Sequence, residues 1–229
     1  MIASLHDDDI SWTSALDIPN LQIVRYISDS STAEHRPPVP FKGREAMIYH
    51  TYFRDFYDKL PDISIMIHAD EGPWHADAHL RQSMLFLLSQ LDLDEVQQRE
   101  YVNLRVNWND GCPAWINSSV PADKAHVREE PFMREAFTAN LFGEDNEVPE
   151  IFGAPCCSQF AVTRDAIRRT PASRYQHYMS WLQNTELSDY ISGRVWEHMW
   201  QLLFLNEAIV CPPELDTYYR VYREYFISL

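Results

Sequence analysis

At 229 residues, with 45% hydrophobic and 13% aromatic content, the chain can build one sizeable core, and no Gly/Ser linker or internal repeat divides it. A net charge of −15 argues against indiscriminate binding to nucleic acid or anionic lipid and suits a cationic substrate. No apolar run approaches membrane-span length, and the first residues lack a signal peptide's basic start and apolar stretch, so a cytoplasmic protein with no membrane partner is expected.

Residues 1–6 read as a first strand running into Asp7-Asp8-Asp9, with Ile10-Ser11-Trp12 beyond. Leu21–Ile27 is a second strand, and 28–42 is a polar, proline-containing loop. Apolar residues at 46, 49, 53, 56 and 57 keep helical spacing and predict a helix over 43–57 with Glu45 and Tyr49 on one face. Ile63, Ile65, Met66 and Ile67, bounded by Pro61 and Gly72-Pro73, predict a buried strand.

Past that strand the character changes to His68, Asp70, Glu71, Trp74, His75, Asp77 and His79. Open α/β sheets bind ligands beyond the carboxyl ends of their strands. Adjacent carboxylates with histidines and a tryptophan suit a cation, a metal or a proton transfer. A solvated loop with a helix cap explains the same residues equally well, and His75 and His79 carry no HExxH arrangement.

A helix is predicted over 76–91, then a polar connection at 95–100. Tyr101–Val106 alternates as a strand with Asn103 and Arg105 on one face. Residues 107–119 read as loop, and 130–142 as a helix closed by Gly143. Cys156-Cys157-Ser158-Gln159 precedes a short apolar piece at 160–162; a low-pKa cysteine there would be a nucleophile, but buried structural cysteines are commoner. Cys112, Cys156, Cys157 and Cys211 include no CxxC pair, so neither a disulfide framework nor a zinc site is expected, and a reducing compartment is.

A short helix at 163–169 carries Arg164, Arg168 and Arg169; with Arg174 they form the one concentrated basic stretch, a solvated face or a phosphate contact. Helices follow at 175–183 and 189–204, the second placing Arg194 and Glu197 three apart. Alternating strands and helices predict a single α/β domain over 1–229, a mixed or mostly parallel sheet flanked by helices, with strand order not derivable.

Six ordered blocks, Asp8–Trp12, Lys42–Met47, 61–75, Tyr101–Arg105, Cys156–Val162 and Ser188–Glu197, resemble a largely fungal family long described only as a domain of unknown function. The resemblance covers nearly the whole chain. Some members are arginine-containing cyclodipeptide synthases, which join arginine from arginyl-tRNA to a second aminoacyl residue and release a diketopiperazine. The resemblance therefore implies a cytoplasmic transferase of fungal secondary metabolism with aminoacyl-tRNA partners, no ATP and no cofactor. An acidic motif of two aspartates followed by a glutamate goes with that activity. Asp8-Asp9 matches its start, and Trp12 stands where the glutamate is sought. The blocks also look like a reduced glycosyltransferase-A-like three-layer sandwich, whose later strand ends in an Asp-x-Asp-like metal site; His68-Ala69-Asp70-Glu71 is a loose version.

On the synthase reading, Asp8, Asp9, Asp70 and Glu71 are expected to grip the guanidinium, and His68, Asp70, Glu71 and Glu197 to carry the chemistry. Glu45, Tyr49, Trp74, Asn103, Arg105, Arg194 and Trp196 are expected to shape the substrate pockets. Arg164, Arg168, Arg169 and Arg174 are expected to touch tRNA phosphates. The alternatives are a nucleotide-sugar glycosyltransferase using Mg or Mn, or a non-catalytic binding protein with the same cleft.

Overall fold

Two-residue alternation along the strands decides how the layers form. The computed structural model describes residues 1–109, 111–142 and 147–224. In chain order the strands are β1 (Ile2–Ser4), β2 (Arg25–Ile27), β3 (Ile63–His68), β4 (Tyr101–Asn103), β5 (Ile116–Asn117), β6 (Ile151–Phe152) and β7 (Phe160–Thr163). The α-helices are α1 (Arg44–Asp55), α2 (Met84–Gln90), α3 (Leu93–Arg99), α4 (Met133–Phe137), α5 (Arg164–Arg168), α6 (Ala172–Asn184), α7 (Asp189–Glu197), α8 (Trp200–Leu205) and α9 (Glu214–Tyr222).

The main sheet runs β2-β1-β3-β7-β4. β1 pairs parallel with both β2 and β3, while β7 is antiparallel to β3 and to β4. Four of the five strands therefore point one way, and the carboxyl ends of β1 and β3 lie side by side. Met66, Phe160, Val162 and Tyr101 pack on one face with α1 and α4 to α8. Ile67, Ala161 and Val102 pack on the other with α2, α3 and α9. The result is three layers, helix–sheet–helix. β5 and β6 form a separate two-stranded antiparallel ribbon.

Gly43 opens α1 in the left-handed region (φ 71), and a Cβ there would sit 2.6 Å from Leu182 Cδ2 of α6. Any other residue would strain that backbone and displace the Leu182 side chain, so glycine suits the close approach of α1 to α6.

Several elements differ from the sequence reading. The helix expected over 76–91 is broken, because Arg81 and Gln82 take positive φ after a 3₁₀ turn at Ala78–Leu80; Ser83 then caps α2 through the Phe86 amide. The polar connection at 95–100 is helical as α3, since Asp92 accepts the Asp94 and Glu95 amides and Val96 is buried. The helix expected over 189–204 divides at His198–Met199. β1, β2 and β4 are each three residues, shorter than read. α9 and the β5–β6 ribbon have no counterpart in the sequence reading, and Gly143 lies outside the described residues.

The cysteines correct another expectation. Cys112 and Cys211 form a disulfide that ties the segment after β4 to the segment before α9, and Cys156 is bonded to its neighbour Cys157. Their pairing depends on the folded path of the chain, which spacing alone does not carry. The argument for a reducing compartment lapses with the free thiols on which it rested.

Candidate active site at the carboxyl edge of the sheet

The cleft begins where β1 stops. Leu5 donates its amide to Asp8 Oδ2 (2.7 Å), and the Arg25 guanidinium from β2 binds the carbonyls of Leu5, His6 and Asp8. Asp9 Oδ1 accepts the Ser11 amide (2.8 Å), which starts the next 3₁₀ turn and holds that carboxyl below the usual range. The two acids are thus built into a turn by their own hydrogen bonds. Trp12 Nε1 donates to the Ala69 carbonyl at 2.9 Å, joining this turn to the end of β3.

Beyond β3, Asp70 Oδ1 accepts the Gly72 amide (3.0 Å), and Glu71 accepts the Ser83 hydroxyl. The facing wall is the start of α1 with its approach, Pro37 to Lys42. Asp189, at the start of α7, accepts the Arg44 amide (3.0 Å), and Lys42 Nζ binds the carbonyls of Thr185 and Leu187. Between these walls lies a cleft of about 780 Å³ lined by Asp8, Asp9, Trp12, Glu45, His68, Asp70 and Glu71 among others.

Its electrostatics are uneven. Burial raises Glu45, and Asp189 adds to this against Arg44 and a hydrogen bond from Ser158. Glu197 is raised by burial and by Glu45, although His198 and Arg194 oppose the shift. Burial thus raises both carboxyl groups, and Glu45 adds to the shift of Glu197. His68 is lowered to about 4 by burial, with Glu197 and Asp70 only partly offsetting it, and its Nε2 is buried without a partner. It is a neutral imidazole at pH 7.

Behind the cleft the charges form a chain. Glu197 Oε2 meets Arg194 Nη1 at 3.0 Å, Arg194 Nε meets Glu129 Oε1 at 3.0 Å, and the same oxygen meets His198 Nε2 at 3.0 Å. Burial would raise Glu129, but His198 and Arg194 outweigh it and hold the carboxyl at about 2.

Of the residues proposed from sequence, the cleft gathers Asp8, Asp9, Glu45, His68, Asp70 and Glu71, with Glu197 electrostatically linked to Glu45. The others lie elsewhere. Tyr49 and Trp196 are fully buried in the core, where Trp196 packs 4.1 Å from the ring of His50. Trp74 is 74% exposed and outside the cleft lining. Asn103 donates to the Pro155 carbonyl (2.6 Å), and Arg105 Nη1 lies 2.9 Å from Cys156 Sγ. Arg194 serves the charge chain.

The arginine stretch is at the far end of the sheet. α5 begins as β7 ends, beside Ile63 at the start of β3, a strand's length or roughly 20 Å from the cleft. Arg164 pairs with Asp62, Arg169 with Glu100 (2.6 Å), Arg168 donates to the Tyr57 carbonyl (3.0 Å), and Arg174 to the Asn140 carbonyl. Each already has a protein partner.

Sequence reasoning did not single out Ser158, which accepts a hydrogen bond from the Trp200 indole and lowers the proton affinity of Glu45, or Arg44 and Asp189 at the mouth. The available signals were the position of Ser158 inside the Cys-Cys-Ser-Gln block and the Ser188-Asp189 helix start. Among the described residues, the one group of three metal-capable side chains with ligand atoms within 4.8 Å of one another is Cys156, Cys157 and Glu197, and two of these are bonded together.

A family model matches residues 1–220, nearly the whole chain. The chain belongs to DUF3431, a family described as proteins of unknown function. No curated protein and no solved structure matches it. For this DUF3431 chain the fold is a mixed α/β sandwich, and no helix among its described residues is long and apolar enough to cross a membrane.

Proposed function

We propose that the protein is a cytoplasmic aminoacyltransferase that builds an arginine-containing cyclodipeptide from arginyl-tRNA and a second aminoacyl-tRNA. One observation carries the reading: the cleft sets Asp8, Asp9, Asp70 and Glu71 on one lip and Glu45 at depth, an arrangement for a planar cation. The likeness of the chain's six sequence blocks to a family that includes arginine-using synthases supports the same choice of cation.

The chemistry asks little else. An aminoacyl ester is already activated, so the protein has to hold two substrates, accept a proton from the attacking amine and stabilise the oxyanion. Proton acceptance falls to Glu45, backed by Glu197, because its affinity is shifted towards neutrality while that of His68 is shifted away from it. Neutral His68 remains suited to hydrogen bonding through its unpartnered Nε2.

A metal-dependent glycosyltransferase is the second reading, since β1 runs into acids and β3 ends at Asp70-Glu71. The residues fit a divalent cation poorly, because no third ligand converges with Asp70 and Glu71 among the described residues.

The test is expression in a host with ample aminoacyl-tRNA, followed by mass spectrometry for an arginine diketopiperazine, with Asp9→Asn, Asp70→Asn and Glu71→Gln assayed in parallel. Loss of the arginine product from the variants, with lysine a poor substitute, supports the reading. Absence of any arginine product from the wild type, or turnover of a nucleotide sugar requiring Mn or Mg, overturns it.

A further inference from the structure

The turn that leads into β7 does two things at once. Its two cysteines are joined, and its next residues hold the inner groups of the cleft. The Cys157 amide donates to Glu197 Oε1 (2.7 Å). The Ser158 hydroxyl lowers the proton affinity of Glu45, and Trp200 Nε1 donates to that same hydroxyl (3.2 Å). Gln159 Oε1 accepts the His68 amide (3.0 Å), and its Nε2 lies 2.8 Å from His75 Nε2. Four consecutive residues thus combine a disulfide with direct contacts to Glu197, His68 and His75 and an electrostatic link to Glu45.

The backbone there is held in an unfavourable form. Cys157 has φ 88 and Ser158 has φ 48, and neither is glycine. Such conformations persist where the surroundings over-determine them, and a covalent link between neighbouring side chains is one such constraint. Breaking the link removes the constraint at the position that carries the Glu197 hydrogen bond.

The sulfurs also have a charged neighbour. Arg105 Nη1 lies 2.9 Å from Cys156 Sγ and 3.5 Å from Cys157 Sγ. A guanidinium at that distance stabilises a thiolate, which makes Cys156 the better leaving group in thiol–disulfide exchange. A surface pocket of about 360 Å³, lined by Asn103, Arg105 and Pro155, adjoins the segment that leads into Cys156.

We propose that Cys156–Cys157 is a thiol–disulfide exchange site for small dithiols, and that its redox state sets the arrangement of Glu45, Glu197 and His68. An incoming thiolate attacks Cys157 Sγ, the S–S bond breaks, and Cys156 leaves as a thiolate beside Arg105. The second thiol of the reductant then displaces Cys157 from the mixed disulfide. The reductant ends as a cyclic disulfide, two electrons have passed to the protein, and the protons of the dithiol are left on Cys157 and on Cys156 or solvent. The exchange does not depend on which reaction the cleft catalyses.

The test uses the intact protein purified without reductant, labelled uniformly with ¹⁵N, and dithiothreitol as the probe. Native alkylation followed by peptide mass mapping should find Cys156 and Cys157 unlabelled before reduction and both labelled after it. The imidazole signals of His68 and His75 should move on reduction and return on reoxidation. In Cys156→Ser they should already be displaced and should ignore dithiothreitol, which separates this bridge from Cys112–Cys211. Arg105→Gln should slow release of the two thiols by about tenfold, and this measurement serves if Cys156→Ser does not fold. Free thiols at Cys156 and Cys157 before reduction overturn the proposal. So do imidazole signals that reduction leaves unmoved, or that still respond to dithiothreitol in Cys156→Ser.

Discussion

The Trp12 indole donates to the Ala69 carbonyl at 2.9 Å, and that bond joins the acidic turn after β1 to the acidic turn after β3. Parallel pairing brings the two strand ends together; the indole sets the spacing between the two turns. Trp12→Phe keeps the ring's bulk and leaves a carbonyl without its donor. We expect a stability loss of about 1–2 kcal/mol. We also expect a larger proportional fall in arginine product, because the carboxylates on either side lose their mutual register. Thermal melts and product assays run together check this; a variant that melts lower with undiminished turnover removes Trp12 from any role in the cleft.

Glu45 gives a prediction with opposite signs for activity and stability. Its carboxyl is raised above the ordinary value of 4.5, chiefly by burial, so folding favours the protonated form. That contribution is present below 4.5 and is lost as pH rises through the folded-state value. Glu45→Gln is neutral at every pH. It should therefore melt higher than wild type at pH 8, with the advantage fading below pH 4.5. Turnover should drop by about 10²–10⁴-fold, the usual worth of a positioned proton acceptor. A melting curve unchanged at pH 8 would show that the carboxyl is not held against its charge.

Acid should weaken the protein before most carboxylates titrate. His68 and His75 are both lowered from 6.5 to about 4, each chiefly by burial. A lowered folded-state value means that the stabilisation is present above 6.5 and is lost as pH falls from 6.5 to 4. For His68 the shift corresponds to about 3 kcal/mol. Glu129, held at about 2, adds a second loss between 4.5 and 2. Urea unfolding at intervals from pH 7.5 to 4 should show the first decline, and His68→Gln should flatten it; an equal slope in that variant refutes the assignment.

The basic residues near the cleft mouth provide a contrast. Arg44, which lines the cleft, and Arg128 are exposed and lie over the Tyr190 ring at 4.9 and 5.9 Å. An exposed aromatic between guanidinium groups suits the single-stranded end of a nucleic acid. Arg44→Ala with Arg128→Ala should weaken tRNA binding and flatten the slope of log affinity against log salt by about 1–2. Arg168→Ala with Arg169→Ala, at the far end of the sheet, should leave that slope nearly unchanged. The reverse result would return the docking surface to the arginine stretch.

Much of this arrangement was legible in the sequence, for identifiable reasons. β3 is a β-branched run between breakers, and α1 keeps its apolar spacing, so both stand out. Acids just past two strands suffice to suggest a cleft once those strands are neighbours. What escaped depends on contacts between distant segments. α3 carries few apolar residues and is secured by Asp92 and by packing against the sheet and α9. The break at Arg81–Gln82 has left-handed residues but no glycine to announce it. The influence of Glu45 on Glu197 joins the first helix to the seventh, and no local pattern reports it. The arginine stretch looked available because sequence cannot show Asp62 and Glu100 already paired with it.

The Cys112–Cys211 bridge also governs how the chain comes apart. It spans a sequence separation of 99 residues and encloses β5 to β7 and α4 to α8 in a single covalent ring. A protease that cuts one surface loop inside the ring releases nothing: the nicked chain keeps its full mass on a non-reducing gel and falls into two bands only when reduced. Two cuts excise a segment and leave the remaining ends tied together. Fragment patterns for this protein therefore report different boundaries with and without reductant, and the difference itself measures how completely the bridge is formed.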